Sequence, residues 1–410
     1  MKRYYHLIAT AFAILILGGC LGGQFDLGSS ANPPTDVKLV AGDNSITVTW
    51  TMAPNVEYWI FSAPADTIST DGWARLLGAQ AAIDAKSPQV VTGLANGVKY
   101  SFTVNGRVDG GPGGPGSVSI SAVPRIAGAA WSVGSPLADD LRGVAFGALF
   151  VAVGANGALY SSPDFNAWTP ATWTPQKNPL SPLPDLNAVN FGTAGYLAAG
   201  SGGTLLLSSD AITWTAQPSG TSNNLNALAT NGGSLMLAAG ANGTLISSAD
   251  GKTWVSVNSG TTQDLFGLTY GNGNFVAVGA NGTVLTSIDG TVWNAVASNT
   301  SKRLNSVSYG VNATTAVATF VAVGDGGTLI TSIDGATWTA QTPITSSNLA
   351  AVTYGRLFVA VGDKGALFTS TDGSTWQAIV SGTANDLKSV AHSATNYSAV
   401  GMRGTNLSSI

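Results

Sequence analysis

The chain has 410 residues, more than one ordinary domain requires, so two or more folded units are expected. Its 21 acidic residues against 17 Lys and Arg give a net charge of −4, which offers nucleic acid no electrostatic footprint. Only 9% of residues are charged, 44% are apolar and 52 are glycine, a balance that excludes a disordered tail or a charged helical bundle and fits turn-rich β structure.

Lys2 and Arg3 precede an uncharged, mostly apolar stretch from Leu7 to Gly19, which reads as an export signal of residues 1–19. It is shorter than the roughly 20 residues that span a bilayer. Leu17-Gly18-Gly19-Cys20 resembles the lipobox of bacterial lipoproteins. That resemblance implies cleavage before Cys20, a lipid on its thiol, and residence in the cell envelope. Leu21 rather than Asp follows, which the same resemblance reads as outer-membrane sorting. Cys20 is the single cysteine in the sequence, so it forms no internal disulfide. Residues 20–32 are Gly-, Ser- and Ala-rich and read as a flexible tether.

Between residues 33 and 125, Val37 to Val40, Ser45 to Trp50, Tyr58 to Phe61 and Lys99 to Asn105 read as strands, the first two joined by the turn Gly42-Asp43-Asn44. Pro33-Pro34, Trp50 and Leu94-Ala95-Asn96-Gly97-Val98-Lys99-Tyr100 resemble a fibronectin type III domain, with Tyr100 as its corner tyrosine. The run from Gly110 to Gly116 lacks the strand-to-helix context and the Lys-Ser/Thr pair of a phosphate loop, and reads as a hairpin loop.

From residue 128 to 410 the sequence repeats itself. A strand opens with Leu141, Leu186, Leu225, Leu265, Leu304, Leu349 and Leu387, usually with Val or Leu three residues on. A glycine pair follows each, from Gly154/Gly157 to Gly401/Gly404. Then comes Ser-x-Asp-x-x-x-Trp, with Asp164, Asp210, Asp250, Asp289, Asp334 and Asp372 and with Trp168, Trp214, Trp254, Trp293, Trp338 and Trp376. This third landmark is complete six times, because the sequence stops just after Ser409. The missing tryptophan stands ahead of the repeats as Trp131. The expected fold is therefore all-β: a fibronectin-like sandwich followed by a seven-bladed β-propeller, closed by pairing its N- and C-terminal strands so that no sheet edge stays open.

The Ser-x-Asp-x-x-x-Trp box resembles the Asp-box of sialidases and related propellers, and seven blades with such boxes also resemble the photosystem II assembly propellers. In the box, Asp accepts backbone N–H groups of a tight turn, a Gly follows it in most copies, and Trp is buried between blades. These roles are structural. A sialidase-like glycosidase would need carboxylates or a glutamate-activated tyrosine beside clustered arginines. The only glutamate, Glu57, lies in the sandwich, and the propeller arginines are scattered over different blades. No catalytic residue, cofactor or metal site is expected, and His392 stands where Tyr270, Tyr309 and Tyr354 stand in other repeats. The candidate ligand face is the glycine-pair side. There Asp140, Asp185, Asn224, Asp264, Arg303, Asn348 and Asp386, each just before a repeat leucine, are expected to ring the central opening. Arg142 and Arg403 form a second feature, a small positive spot, and the long connector from Thr169 to Asp185, with Trp173 inside it, a third. The expected function is non-catalytic binding of a protein or glycan partner. An assembly factor for an envelope complex is the alternative, and a glycosidase of sialidase-like fold is the second alternative.

Overall fold

The computed structural model describes residues 28–163, 172–312, 315–394 and 396–409. Cys20 with its leader, and Asp164 and Trp168 of the first box, lie outside the described residues. Among the described residues helix is confined to short 3₁₀ turns, and none is long and apolar enough to cross a membrane.

Two compact units form. One takes in Thr49–Ser87 and Ser101–Ile120 together with the segment before Lys38. Its sheet pairs Glu57–Ala63 with Gln80–Ala85 on one side and with Tyr100–Val108 on the other. Val104 and Phe102 of that last strand are fully buried, and Trp50 stands edge-on to Tyr58 with ring centroids 5.5 Å apart. Ser29–Ala31 is a strand as well, paired Ser29↔Val108 to Ala31↔Gly106. The expected flexible tether of residues 20–32 is corrected at this end, where the backbone is held by main-chain hydrogen bonds. The glycine run explains how: a Cβ on Gly111 would stand 2.2 Å from the Ser29 nitrogen, and one on Gly114 would stand 2.4 Å from the Ala31 oxygen. Only residues without a side chain admit the passing strand.

The other unit comprises Lys38–Val48, Pro88–Tyr100 and Ser121–Ile410. Lys38–Gly42, Ser45–Thr49 and Gln89–Thr92 make a three-stranded sheet, and the Tyr100 hydroxyl accepts the Ala95 N–H at 3.1 Å. Among the described residues beyond 128 come seven four-stranded antiparallel sheets. In the second, Leu186–Gly192, Gly195–Gly200, Leu205–Ser208 and Thr215–Gln217 follow one another in space as in sequence. The last sheet departs from this order. Its outer strand is Ser132–Val133, paired with Leu407 and Ser408 across the length of the repeat region.

The opening strand of each sheet packs on that of the next, and the seventh packs on the first. The apolar core is accordingly divided among the seams. Leu237, Ala239 and Leu245 of the third sheet, for example, pack with Leu265, Phe275 and Trp293 of the fourth. Each such tryptophan buries about 150–250 Å² between neighbouring sheets.

Trp214, Trp254, Trp293, Trp338 and Trp376 stand immediately before their outer strands. In the first sheet that place belongs to Trp173, directly before Thr174–Pro175 and packed with Leu141, Val144, Phe150 and Tyr160. Trp168, expected in this role, lies outside the described residues, while the strand pairing Tyr160↔Pro175 sets Trp173 ahead of the outer strand. Trp173 is thus spent on the core. The connector after it is tied down too, with Asn178 donating to the Gly157 carbonyl at 3.0 Å.

Candidate functional site: the mouth of the central channel

The boxes themselves are turn machinery. In the third sheet the Asp250 carboxylate accepts the N–H groups of Lys252 and Thr253 at 2.8 and 2.7 Å, Ser248 accepts from Gly251, and Trp254 Nε1 donates to the Gly251 carbonyl. Asp289, Asp334 and Asp372 repeat the arrangement, and Asp210 keeps its carboxylate bonds, from the N–H groups of Ile212 and Thr213. These backbone donors pull the carboxyls of Asp210, Asp250 and Asp334 down to about 2, and that of Asp289 below its ordinary value. Burial opposes ionisation of Asp372, and the same kind of donors outweighs it, so its pKa is lowered as well. The box split between the two ends of the repeat region keeps two of these bonds: Gly128 N–H donates to Ser409 Oγ at 2.8 Å and Trp131 Nε1 to the Gly128 carbonyl at 2.9 Å.

Each paired glycine has a distinct reason. Gly279 has extended backbone, and a Cβ there would stand 2.2 Å from the Asp264 carbonyl oxygen. Gly282 has φ of +71° and faces the Thr300 oxygen, so both the dihedral and the space require glycine. Between the pair sits a left-handed residue, Asn281 in this copy, Lys364 and Arg403 in others.

Those left-handed residues meet the positions before the repeat leucines. Asp185 accepts the Asn156 N–H, Asn224 that of Gly202, Asp264 that of Asn242, Asn348 that of Gly326, Asp386 that of Lys364 and Asp140 that of Arg403, at 2.6 to 2.9 Å. Every one of these bonds joins a hairpin of one sheet to the next sheet. The expected ring around the opening is therefore corrected to a ring of latches between sheets: Asp140, Asp185, Asn224, Asp264 and Asp386 do not line the cavity, whereas Arg303 and Asn348 do. Asp185 and Asp386 are acidified, first by these N–H groups and then by Arg142 and Lys388 respectively.

The opening is walled by the residues one place after each leucine. In all seven opening strands the register shifts there, between Leu141 and Gly143 in the first and Leu387 and Ser389 in the last. Such a bulge leaves one residue out of the ladder and re-aims its side chain. The seven bulge residues, Arg142, Asn187, Asn226, Phe266, Asn305, Ala350 and Lys388, line a cavity of about 450 Å³ at the mouth of a channel of about 550 Å³. Three of the amides reach the next sheet: Asn187 donates to the Leu225 carbonyl, Asn226 to that of Leu265 and Asn305 to that of Leu349. Arg142 pairs with Asp185 at 2.9 Å and donates to Asn187, which neutralises the expected positive spot beside exposed Arg403. Lys388 is held by Asp363 and Asp386, both at 3.1 Å; burial opposes its charge, and the two carboxylates outweigh burial and raise its pKa. Arg303 lies with its guanidinium 3.6 Å from the centroid of Phe266.

At the far end of the channel wall stands His392, whose Nδ1 lies 3.2 Å from the Ser393 carbonyl oxygen and whose pKa burial lowers. Among the described residues no group of three His, Cys, Asp or Glu is placed to hold a metal.

Solved structures similar to this protein are propellers. YCF48 bound to D1 peptide aligns with a TM-score of 0.56 at 20% identity, over 68% of this sequence and 94% of that one. YCF48 from Cyanidioschyzon merolae aligns at 0.53 and 16%, over 68% and 98%. The WD40 β-propeller domain of Doa1 aligns at 0.56 and 12%, over 69% and 96%. No family model matches the sequence, and no curated protein matches it. The likeness establishes a β-propeller.

Proposed function

We propose that this is an exported protein, lipid-anchored through Cys20, in which a fibronectin type III-like unit precedes a seven-bladed propeller that holds a protein partner at its channel mouth without catalysis. The observation that carries the reading is the ring of bulged side chains, five of the seven charged or amide-bearing, opening into a cavity of about 450 Å³. A small polar cavity walled by the same position of every sheet suits a segment of another protein better than a reaction, since the two carboxylates that line it are already held, Asp325 by Asn305 and Asp363 by Lys388 and Asn348. YCF48 shares the fold, and one of its structures is bound to a D1 peptide, which favours a protein partner over a glycan and gives the assembly-factor alternative its weight. Envelope residence, outer-membrane sorting and the lipid rest on the sequence around Cys20.

The test blocks the mouth while sparing its hydrogen bonds. Ala350 is the smallest bulge residue, and Ala350→Trp fills the cavity. With the mature protein immobilised in an envelope extract, the variant is expected to lose a partner that the original protein retains, while Ile288→Trp on the box side keeps it. Retention by Ala350→Trp at the original level refutes the reading.

A further inference from the structure

The repeat sets what each position is expected to carry, and at the seam between the fourth and fifth sheets two neighbouring positions depart together. Six of the seven residues before the repeat leucines accept a hairpin N–H from the previous sheet; the seventh is Arg303, whose side chain accepts none, so the Asn281 N–H has no such acceptor. Among the bulge residues one is aromatic, Phe266, and it lies under Arg303. This seam forgoes its latch and its bulge hydrogen bond at once. Stacking engages the flat face of the guanidinium and none of its five N–H donors. Arg142 and Lys388 are neutralised by carboxylates, but the Arg303 side chain makes no ion pair or hydrogen bond among the described residues. In the same cavity, Asn305 uses its amide nitrogen on Asp325 and the Leu349 carbonyl, while its Oδ1 is buried without a partner. The mouth thus offers an unused fork of donors on an aromatic base and one unused acceptor, beside the gap left by Ala350.

Resting on the reading that a protein partner occupies the mouth, we infer that Arg303, backed by Phe266, binds a carboxylate of that partner, with Asn305 Oδ1 accepting an adjacent peptide N–H. A guanidinium and a carboxylate match in geometry and charge, and the aromatic base fixes the fork before the ligand arrives. Two sources supply this chemistry, the terminal carboxylate of a polypeptide or an Asp or Glu side chain within a segment.

Both are distinguished with short probes on the mature protein labelled with ¹⁵N-arginine. The probes are N-acetyl-triglycine as the free acid, its C-terminal amide, and an amidated N-acetyl Gly-Asp-Gly. The Arg303 Nε resonance, assigned by its absence in Arg303→Gln, is expected to shift saturably with the free acid and at least about tenfold more weakly with the plain amide. A response to the amidated Asp probe equal to that of the free acid supports the carboxylate and places it on a side chain; a response to the free acid alone places it at a polypeptide terminus. Equal response to acid and plain amide, or a shift that never saturates, overturns the inference. Arg303→Asn supplies a control that a merely structural arginine fails: it restores the seventh latch, so its thermal midpoint is expected to rise while it retains less of the envelope partner than the original protein does. If Arg303→Gln keeps the envelope partner at undiminished affinity while Ala350→Trp loses it, the carboxylate site is wrong and the mouth reading stands.

Discussion

Replacing the box tryptophans by phenylalanine is expected to have opposite consequences at Trp254 and Trp214. Trp254 Nε1 donates to the Gly251 carbonyl at 3.1 Å, as Trp293, Trp338 and Trp376 do to Gly290, Gly335 and Gly373. At Trp214 the glycine is replaced by Ala211, and Nε1 is buried with no partner. Both indoles are at least nine-tenths buried, at 9% and 5% exposure, so the volume lost in Trp→Phe costs each a similar amount, about 1 kcal/mol from the cavity left behind. Trp254→Phe also loses a hydrogen bond worth about 1 kcal/mol, for a total near 2 kcal/mol. Trp214→Phe instead removes an unsatisfied buried donor, whose desolvation costs about 1–3 kcal/mol, so the change is expected to lie between neutral and about 2 kcal/mol stabilising. Equilibrium denaturant unfolding, with the slope checked for constancy, measures both. Equal destabilisation by the two variants refutes the argument that this hydrogen bond, rather than bulk alone, distinguishes the regular boxes from the irregular one.

Asp264→Ala removes one latch and is expected to cost about 1 kcal/mol in the same assay, whereas Asp264→Asn is expected to retain most of the stability because Asn serves at two of the six latches. The box carboxyls of Asp210, Asp250 and Asp334 titrate at about 2, below their ordinary 3.8, so their contribution is complete above about pH 4 and is lost as the pH falls toward 2. The thermal midpoint is expected to fall over that window, and less steeply in Asp250→Asn/Asp334→Asn. Burial lowers the pKa of His392 below 6.5, so its contribution is held above pH 6.5 and lost on acidification below it. His392→Tyr, matching Tyr270, Tyr309 and Tyr354, is expected to flatten that part of the profile. Metabolic labelling with radioactive palmitate is expected to mark the protein and to fail in Cys20→Ser; equal labelling of both refutes the anchor.

Much of the propeller was legible because a repeat states its own rules. The truncated box at Ser409 and the displaced Trp131 located the shared last sheet, since each half lacks what the other carries. The mouth was misread by two residues for a physical reason. Side chains of a regular strand alternate, so Asp and Asn before each leucine looked like lining positions, whereas the bulge one place after the leucine sends a different residue inward. The signal was present: Leu141 and Val144, or Leu265 and Leu268, are buried three apart, an odd spacing that a regular strand cannot place on one face. Trp173 was hidden because the box spacing points to Trp168, and only strand pairing reveals that Trp173 precedes the outer strand. The strand at Ser29–Ala31 carries no pattern of its own; the glycine run that accommodates it lies some 80 residues away in the sequence.

The most direct measurement is site-specific photo-crosslinking in the envelope, with a benzophenone side chain placed at Met402, which lines the mouth, or at Lys252, exposed on an Asp-box turn. A defined crosslinked partner at position 402 and none at 252 is the result predicted. The reverse pattern contradicts the assignment of the channel mouth as the place where this propeller meets its partner.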